Sequence, residues 1–223
     1  MTPRGSIAFH DGRMTEPVDL EIVPLTGERF ADLGTLFEAG GDPRWCWCMY
    51  FRVRGRTWSN SSPARNRNEL RQLTNTADAG EGEAPGLVAY RDGMAVGWVS
   101  LGPRPAYDRL AWSKLLRPVD DRPVWSIVCF VVGRHHRRRG VATRLLDAAI
   151  DHARSRGAHT LEAYPLHESR GRVAGAAAYV GTQAMFERAG FRVVELRRWD
   201  ETAPPRPIMR LELGTRRRAA DRR

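Results

Sequence analysis

The stretch that decides the fold is VWSIVCFVVGRHHRRRGVATRLLDAAIDHARSRG, Val124–Gly157. It opens on an apolar run, Val124–Val132, of strand length and rich in the β-branched and aromatic residues that strands favour. It closes on Val141–Arg156, where Ala142, Leu146, Ala149, Ile150 and Ala153 share one stripe of a helix that Gly157 ends. Between the two lies an unbroken run of arginines and histidines, Arg134–Arg139. A basic run is commonly a solvated surface or a nucleic-acid contact, but this one sits where a strand hands over to a helix. The pattern Arg137-x-x-Gly140-x-Ala142 keeps the turn small, so a ligand can approach the backbone closely. The N–H groups of the first helical turn have no intrahelical acceptor, and the helix dipole favours an anion there. Forked guanidiniums match phosphate oxygens. The cluster therefore reads as a pyrophosphate cradle. It is neither the GxGxxG dinucleotide pattern nor a Walker loop, which would need Gly-Lys-Ser/Thr.

The flanks extend the pattern. GLVAYRDGMAVGWVSLG, from Gly86, reads as two strands joined at Asp92–Gly93, a strong hairpin signal. HTLEAYPL is a strand after the helix. Ala174–Ala189 reads as a further helix ended by Gly190, and FRVVELRRW and PIMRLEL as two last strands. Upstream, TGERFADLGTLFEAGG is a helix with Thr26 as its cap and Phe30, Leu33 and Phe37 on one face. SPARNRNELRQLT is a second helix with a Ser62 cap and Pro63 in its first turn. DPRWCWCMYFRV reads as a loop entering a short strand, Ala79–Gly86 as a loop, and RPAYDRLAWSKLLRPVDDRP as an irregular insertion. A strand–helix–strand unit with antiparallel hairpins on both sides is a mixed α/β sheet.

Composition narrows the function classes. The chain has 223 residues, 42% of them hydrophobic, enough for one domain with a substantial core. Residues 1–17 read as a flexible lead-in, 18–214 as the domain, and 215–223 as a disordered basic tail. The longest apolar run is about half of what a membrane helix needs, and the N-terminus shows no secretory h-region, so a cytoplasmic protein is expected. Cys46, Cys48 and Cys129 cannot close a disulfide framework and lack the partners of a structural zinc site, so they read as reduced thiols with no metal. The net charge is +10, with Lys114 the only lysine. Much of the excess sits in RRRAADRR at the C-terminus and in Arg134–Arg139, so a broad nucleic-acid face is not expected.

Taken together, the strand, Arg-x-x-Gly-x-Ala at Arg137–Ala142, the amphipathic helix, the next strand, a helix ending FERAGF at Phe186–Phe191 and a final strand pair resemble the GCN5-related N-acetyltransferases. The resemblance covers roughly Val18–Gly214. It implies a central, mostly antiparallel sheet with one splayed parallel strand pair, flanked by helices. It implies acetyl-CoA as co-substrate, with Phe130, Val131 and Val132 holding the pantetheine arm through their backbone. Arg137, Arg138, Arg139, Gly140, Val141, Ala142 and Thr143 would hold the pyrophosphate. The implied reaction moves an acetyl group to a primary amine of a small molecule or protein. WCWCMYFR resembles actinobacterial members of the family without an assigned substrate, and a homodimer is left open.

The proton chemistry departs from the family pattern. Phe186 stands where a tyrosine is common, and a phenyl ring cannot protonate a leaving thiolate. Glu162 and Tyr164 lie two apart on one strand and share a face, so they are the expected base and acid. Tyr179 and His167 are further candidates. Trp45, Trp47 and Tyr50 are read either as walls of an acceptor pocket or as core. Two other readings stay open: a coenzyme-A-binding module without acetyl transfer, motivated by Phe186, and a transferase using a tRNA-linked substrate, motivated by the basic tail.

Overall fold

The structure, a computed structural model, describes residues 19–167 and 179–214. The lead-in, the basic tail and the first part of the expected Ala174–Ala189 helix lie outside the described residues. Among the described residues the elements are β1 (Glu21–Pro24), α1 (Phe30–Glu38), α2 (Pro43–Cys46), α3 (Gly55–Ser59), α4 (Pro63–Asp78), β2 (Gly86–Arg91), β3 (Met94–Pro103), α5 (Asp108–Trp112), β4 (Trp125–Val132), α6 (Val141–Ser155), β5 (Thr160–Ala163), α7 (Gln183–Arg188), β6 (Arg192–Arg197) and β7 (Arg206–Glu212). The strands form one sheet in the order β1-β2-β3-β4-β5-β7-β6. All neighbours are antiparallel except β4 and β5.

Each face of the sheet is covered. On one, Val141, Leu145, Leu146, Ala149, Ile150 and Ala153 of α6 pack with Ile127 and Phe130 of β4 and Phe186 of α7. Gly97 of β3 makes this packing possible: a Cβ there would stand 2.9 Å from both Val141 and Leu145. On the other face, α1, the 47–51 segment, Leu70 of α4 and Leu110 of α5 cover Trp98, Val128, Cys129 and Val131. The hairpin forms at Asp92–Gly93, with φ of 51° and 74°. Two consecutive left-handed residues twist a two-residue turn in the sense of the flanking strands.

Three local expectations are corrected. Thr26 does not cap α1: the helix begins at Phe30 and no side chain caps it, because residues 27–29 form a turn first. Ser62, by contrast, accepts the Arg65 N–H and caps α4 as expected. The 45–53 stretch enters no strand, because Trp47 and Cys48 take φ of 45° and 54° and turn the chain inward. In the last helix α7 starts at Gln183, with Thr182 accepting the Met185 N–H as its cap, so 179–182 are not α-helical. β1 was also passed over; it pairs antiparallel with β2 from Glu21↔Tyr90 to Pro24↔Leu87.

The feature that positions the site is the short reach of the parallel pair. β4 and β5 are in register at only Trp125↔Leu161, Ser126↔Glu162 and Ile127↔Ala163. Two causes end it. On β4, Ile127 pairs with Leu101 and Cys129 with Ser100, so Val128 is an extra residue, a bulge that bends the strand. On the other side Pro165 stands two residues after Ala163, and proline has no N–H to continue a ladder. Residues 129–132 of β4 thus stay paired to β3 while the β5-facing edge from Val128 onward is free.

Candidate active site

A cleft of 810 Å³ opens beside that free edge. Its walls are Phe130 and Val132 of β4, His136 to Arg138, Gly140 to Thr143 at the start of α6, Gly41 from the α1–α2 turn, Tyr179, Gly181 and Thr182, and Met185 and Arg188 of α7. The expected binding residues therefore gather in one place, with two exceptions. Arg139 does not line the cleft. Val131 faces the opposite side of the sheet, so only its backbone borders the free edge.

The turn into α6 has the geometry an anion needs. Gly140 is the N-cap with φ of 81° and offers no side chain to satisfy the first-turn N–H groups. Arg138 is also left-handed, at φ of 59°. Among the described residues Arg137, Arg138 and Arg139 make no ion pair, and Arg137 donates from Nε to the Val132 carbonyl at 3.1 Å. Bare N–H groups, unpaired guanidiniums and an adjacent free strand edge suit a ligand that couples a phosphate to an amide-bearing arm.

Comparison with known proteins fits this geometry. The sequence profile of the acetyltransferase (GNAT) family matches residues 47–191. The chain belongs to the acetyltransferase (GNAT) family. No curated protein matches the sequence. Among solved structures the fold is similar to that of a GNAT-family protein from Desulfovibrio desulfuricans, with a TM-score of 0.54 and 17% identity over 88% of this chain and 100% of that one. An N-acetyltransferase from Staphylococcus aureus Mu50 gives 0.51 and 15%, over 88% and 99%. A protein from Salmonella typhimurium solved with its cofactor acetyl-CoA gives 0.50 and 18%, over 91% and 98%.

Within this acetyltransferase, Glu162 lies in the paired stretch of β5 and Tyr164 just after it, with the Tyr164 ring on the sheet face opposite α6. Glu162 is 0% exposed. The Tyr164 hydroxyl donates to its Oε1 at 2.7 Å, the Arg210 Nε–H donates to its Oε2 at 2.8 Å, and Arg104 pairs with Oε1 as well. Tyr164 also meets Ser126 Oγ and Arg104 Nη1, both at 2.8 Å. Arg210 grips Asp120 with both terminal nitrogens, at 2.7 and 2.9 Å, and Arg104 donates to the Leu116 carbonyl at 2.6 Å. The sequence brings Glu162 and Tyr164 together as expected, but the tertiary structure closes them under the 104–122 insertion, and neither lines the cleft. Burial, then the Glu162 charge, push the Tyr164 phenol well above its usual range. The carboxyl of Asp120 is held below the usual carboxylate range by Arg210.

Phe186 is fully buried, its ring against Phe130 and Phe191. Tyr179 is the phenol on the cleft wall, raised above its ordinary value by burial and then by Asp42. Sequence reasoning named it only as a further candidate, since nothing local marks the way 179–182 turns toward Gly41. It missed Arg104, Ser126 and Arg210. The alternation of β7, which sets Arg210 two residues from buried Ile208, carried a signal for the last. The two readings of the WCWC stretch divide: Trp47 is core, stacked on Phe30 and edge-on to Phe37, while Trp45 and Tyr50 stay exposed around Trp58.

Proposed function

We propose that this protein moves the acetyl group of acetyl-CoA to a primary amine of a small molecule or protein. The observation that carries this reading is the free edge of β4 at 128–132, opening on the uncapped start of α6. In this reading the backbone of Phe130–Val132 pairs with the pantetheine amides. Arg137, Arg138 and the N–H groups of Gly140–Thr143 take the pyrophosphate. Bound acetyl-CoA supplies an activated thioester. The chain's own part is to align it, keep water out with the Phe130 and Met185 walls, and manage two protons.

The proton roles follow from placement. With both oxygens of Glu162 committed to guanidiniums and a phenol, we assign it and Tyr164 to holding the closed end of the strand pair. That replaces the direct base and acid expected of them. The proton for the departing thiolate is assigned to Tyr179, whose hydroxyl borders the cleft and whose raised pKa keeps it protonated at neutral pH. The amine gives its proton to water.

Release of free thiol from acetyl-CoA across a panel of amines, with the thermal shift caused by coenzyme A measured alongside, tests the proposal. Thiol release that depends on the amine supports transfer. A thermal shift without thiol release favours the second reading, a coenzyme-A-binding module, for which the buried Phe186 is the specific observation. No thermal shift at all rejects both.

A further inference from the structure

Beneath the cleft, on the opposite face of the sheet, two thiols meet. Cys48 Sγ and Cys129 Sγ are 3.4 Å apart, across 81 residues of sequence, and the Trp98 indole N–H donates to Cys48 Sγ at 3.1 Å. All three cysteines are free, with Cys48 and Cys129 buried and Cys46 partly exposed. Two backbone irregularities build the contact. Strict alternation from Ile127 would put Cys129 on the α6 face, but the bulge at Val128 turns it to the other side. The left-handed residues Trp47 and Cys48 fold the covering segment inward at the same level.

We propose that Cys48 and Cys129 form an oxidation-closable pair that staples the 47–53 covering segment to β4, one residue from Phe130, and leaves Cys46 free. The sulfurs need to approach by little more than about 1 Å to reach a bond of about 2.05 Å. The oxidant is a peroxide. One thiol gives RSH + H₂O₂ → RSOH + H₂O; its neighbour then displaces the hydroxyl, RSOH + R′SH → RSSR′ + H₂O. Two thiols lose two electrons and two protons, and the peroxide becomes two waters. Burial pushes the Cys48 thiol well above its ordinary range, so at neutral pH it stays protonated while the segment is closed. Closure is therefore slow, at the pace of local opening of the covering segment. This inference is independent of the proposed acetyl transfer.

The test treats the reduced full chain with a small excess of hydrogen peroxide, then alkylates it under denaturing conditions. Intact mass and non-reducing peptide maps are read. The expected product has lost about 2 Da before alkylation. It takes up one alkyl group, and joins the Trp45–Arg52 peptide to the peptide containing Cys129. Dithiothreitol reverses it. Closing so long a loop should raise Tm by roughly 5–15 °C. Cys46→Ser should behave like the parent, whereas Cys48→Ser and Cys129→Ser should lose the 2 Da product. A bridge through Cys46, added oxygen without a bridge, or three free thiols after prolonged peroxide would overturn the proposal. Fragmentation of the linked Trp45–Arg52 peptide, which holds both Cys46 and Cys48, shows which of the two is bridged, so the wild-type map decides the matter even if a serine variant fails to fold.

Discussion

The closed, paired stretch of β4 and β5 and the open turn beyond β4 carry similar residues and opposite physics. At the closed end Arg104, Glu162, Arg210 and Asp120 form a chain of charges in which the two arginines are 11% and 4% exposed and the glutamate 0%. At the open end Arg137, Arg138 and Arg139 are exposed and, among the described residues, make no ion pair. A mutually satisfied network, buried at Glu162, Arg104 and Arg210 and reaching solvent at Asp120, holds structure, since any single removal strands an opposite charge. An exposed, unpaired cluster at a helix start has its hydrogen-bonding capacity still to spend on a ligand. Residue type alone does not distinguish the two; partners and burial do.

The strongest way to break that contrast is Glu162→Gln. Removing the carboxylate's charge leaves two buried guanidiniums facing each other. The expected cost is about 3–5 kcal/mol of stability, read by chemical denaturation, with soluble yield falling alongside. If the variant keeps its stability and loses turnover instead, Glu162 is a base and the closed end is chemical. The same end should fail in alkali. Tyr164 ionises at a higher pH in the folded chain than in the unfolded one, so its stabilisation is complete below about pH 10. As the pH climbs from there toward the folded pKa, the unfolded state sheds its proton first and stability falls. Denaturation midpoints from pH 8 to 11 would show it, and Tyr164→Phe should flatten the decline.

At the open end Gly140→Asp is expected to weaken acetyl-CoA binding at least tenfold, about 1.4 kcal/mol, by calorimetry. It adds a negative charge where the ligand's phosphates are expected and strains a left-handed position. The fold should survive, because no atom of the described residues lies within 4 Å of where a Cβ would stand. Tyr179→Phe should lower kcat about tenfold and leave the KM for acetyl-CoA unchanged. A thiol's pKa near 8.5 makes the lost proton helpful rather than essential. Phe186→Tyr in that background should recover part of the loss, because the ring edge lies beside Gly181 on the cleft wall. The smallest effect is expected for Arg139→Ala, under threefold in affinity and well below that of Arg138→Ala. Equal losses for the two would mean that the cleft's lining does not define the binding surface.

Much of this was legible in the chain because it rests on local rules. Asp92–Gly93 announces its turn because few other pairs tolerate two positive φ angles. Ser62 with Pro63 marks a helix start, and the small residues at Gly140 and Ala142 mark an anion site, each through interactions within a few residues. The Trp47–Cys48 turn was not legible, since two non-glycine residues in the left-handed region depend on tertiary contacts, among them the packing of Trp47 against Phe30 and Phe37.

The sequence by itself determined the alternation of strands and helices, the single parallel crossover and the position of the basic turn at a helix N-terminus. Periodicity, turn chemistry and capping are short-range and can be read without partners. Tertiary structure alone decided three things: where β4 parts from β5, which face Cys129 takes, and whether Glu162 meets substrate or arginine. A bulge shifts every later side chain by one face, and its place depends on how β3 pairs with β4. The environment of Glu162 depends on Arg104 and Arg210, 58 and 48 residues away. Burial and charge pairing are properties of the assembled sheet, and no window of the chain contains them.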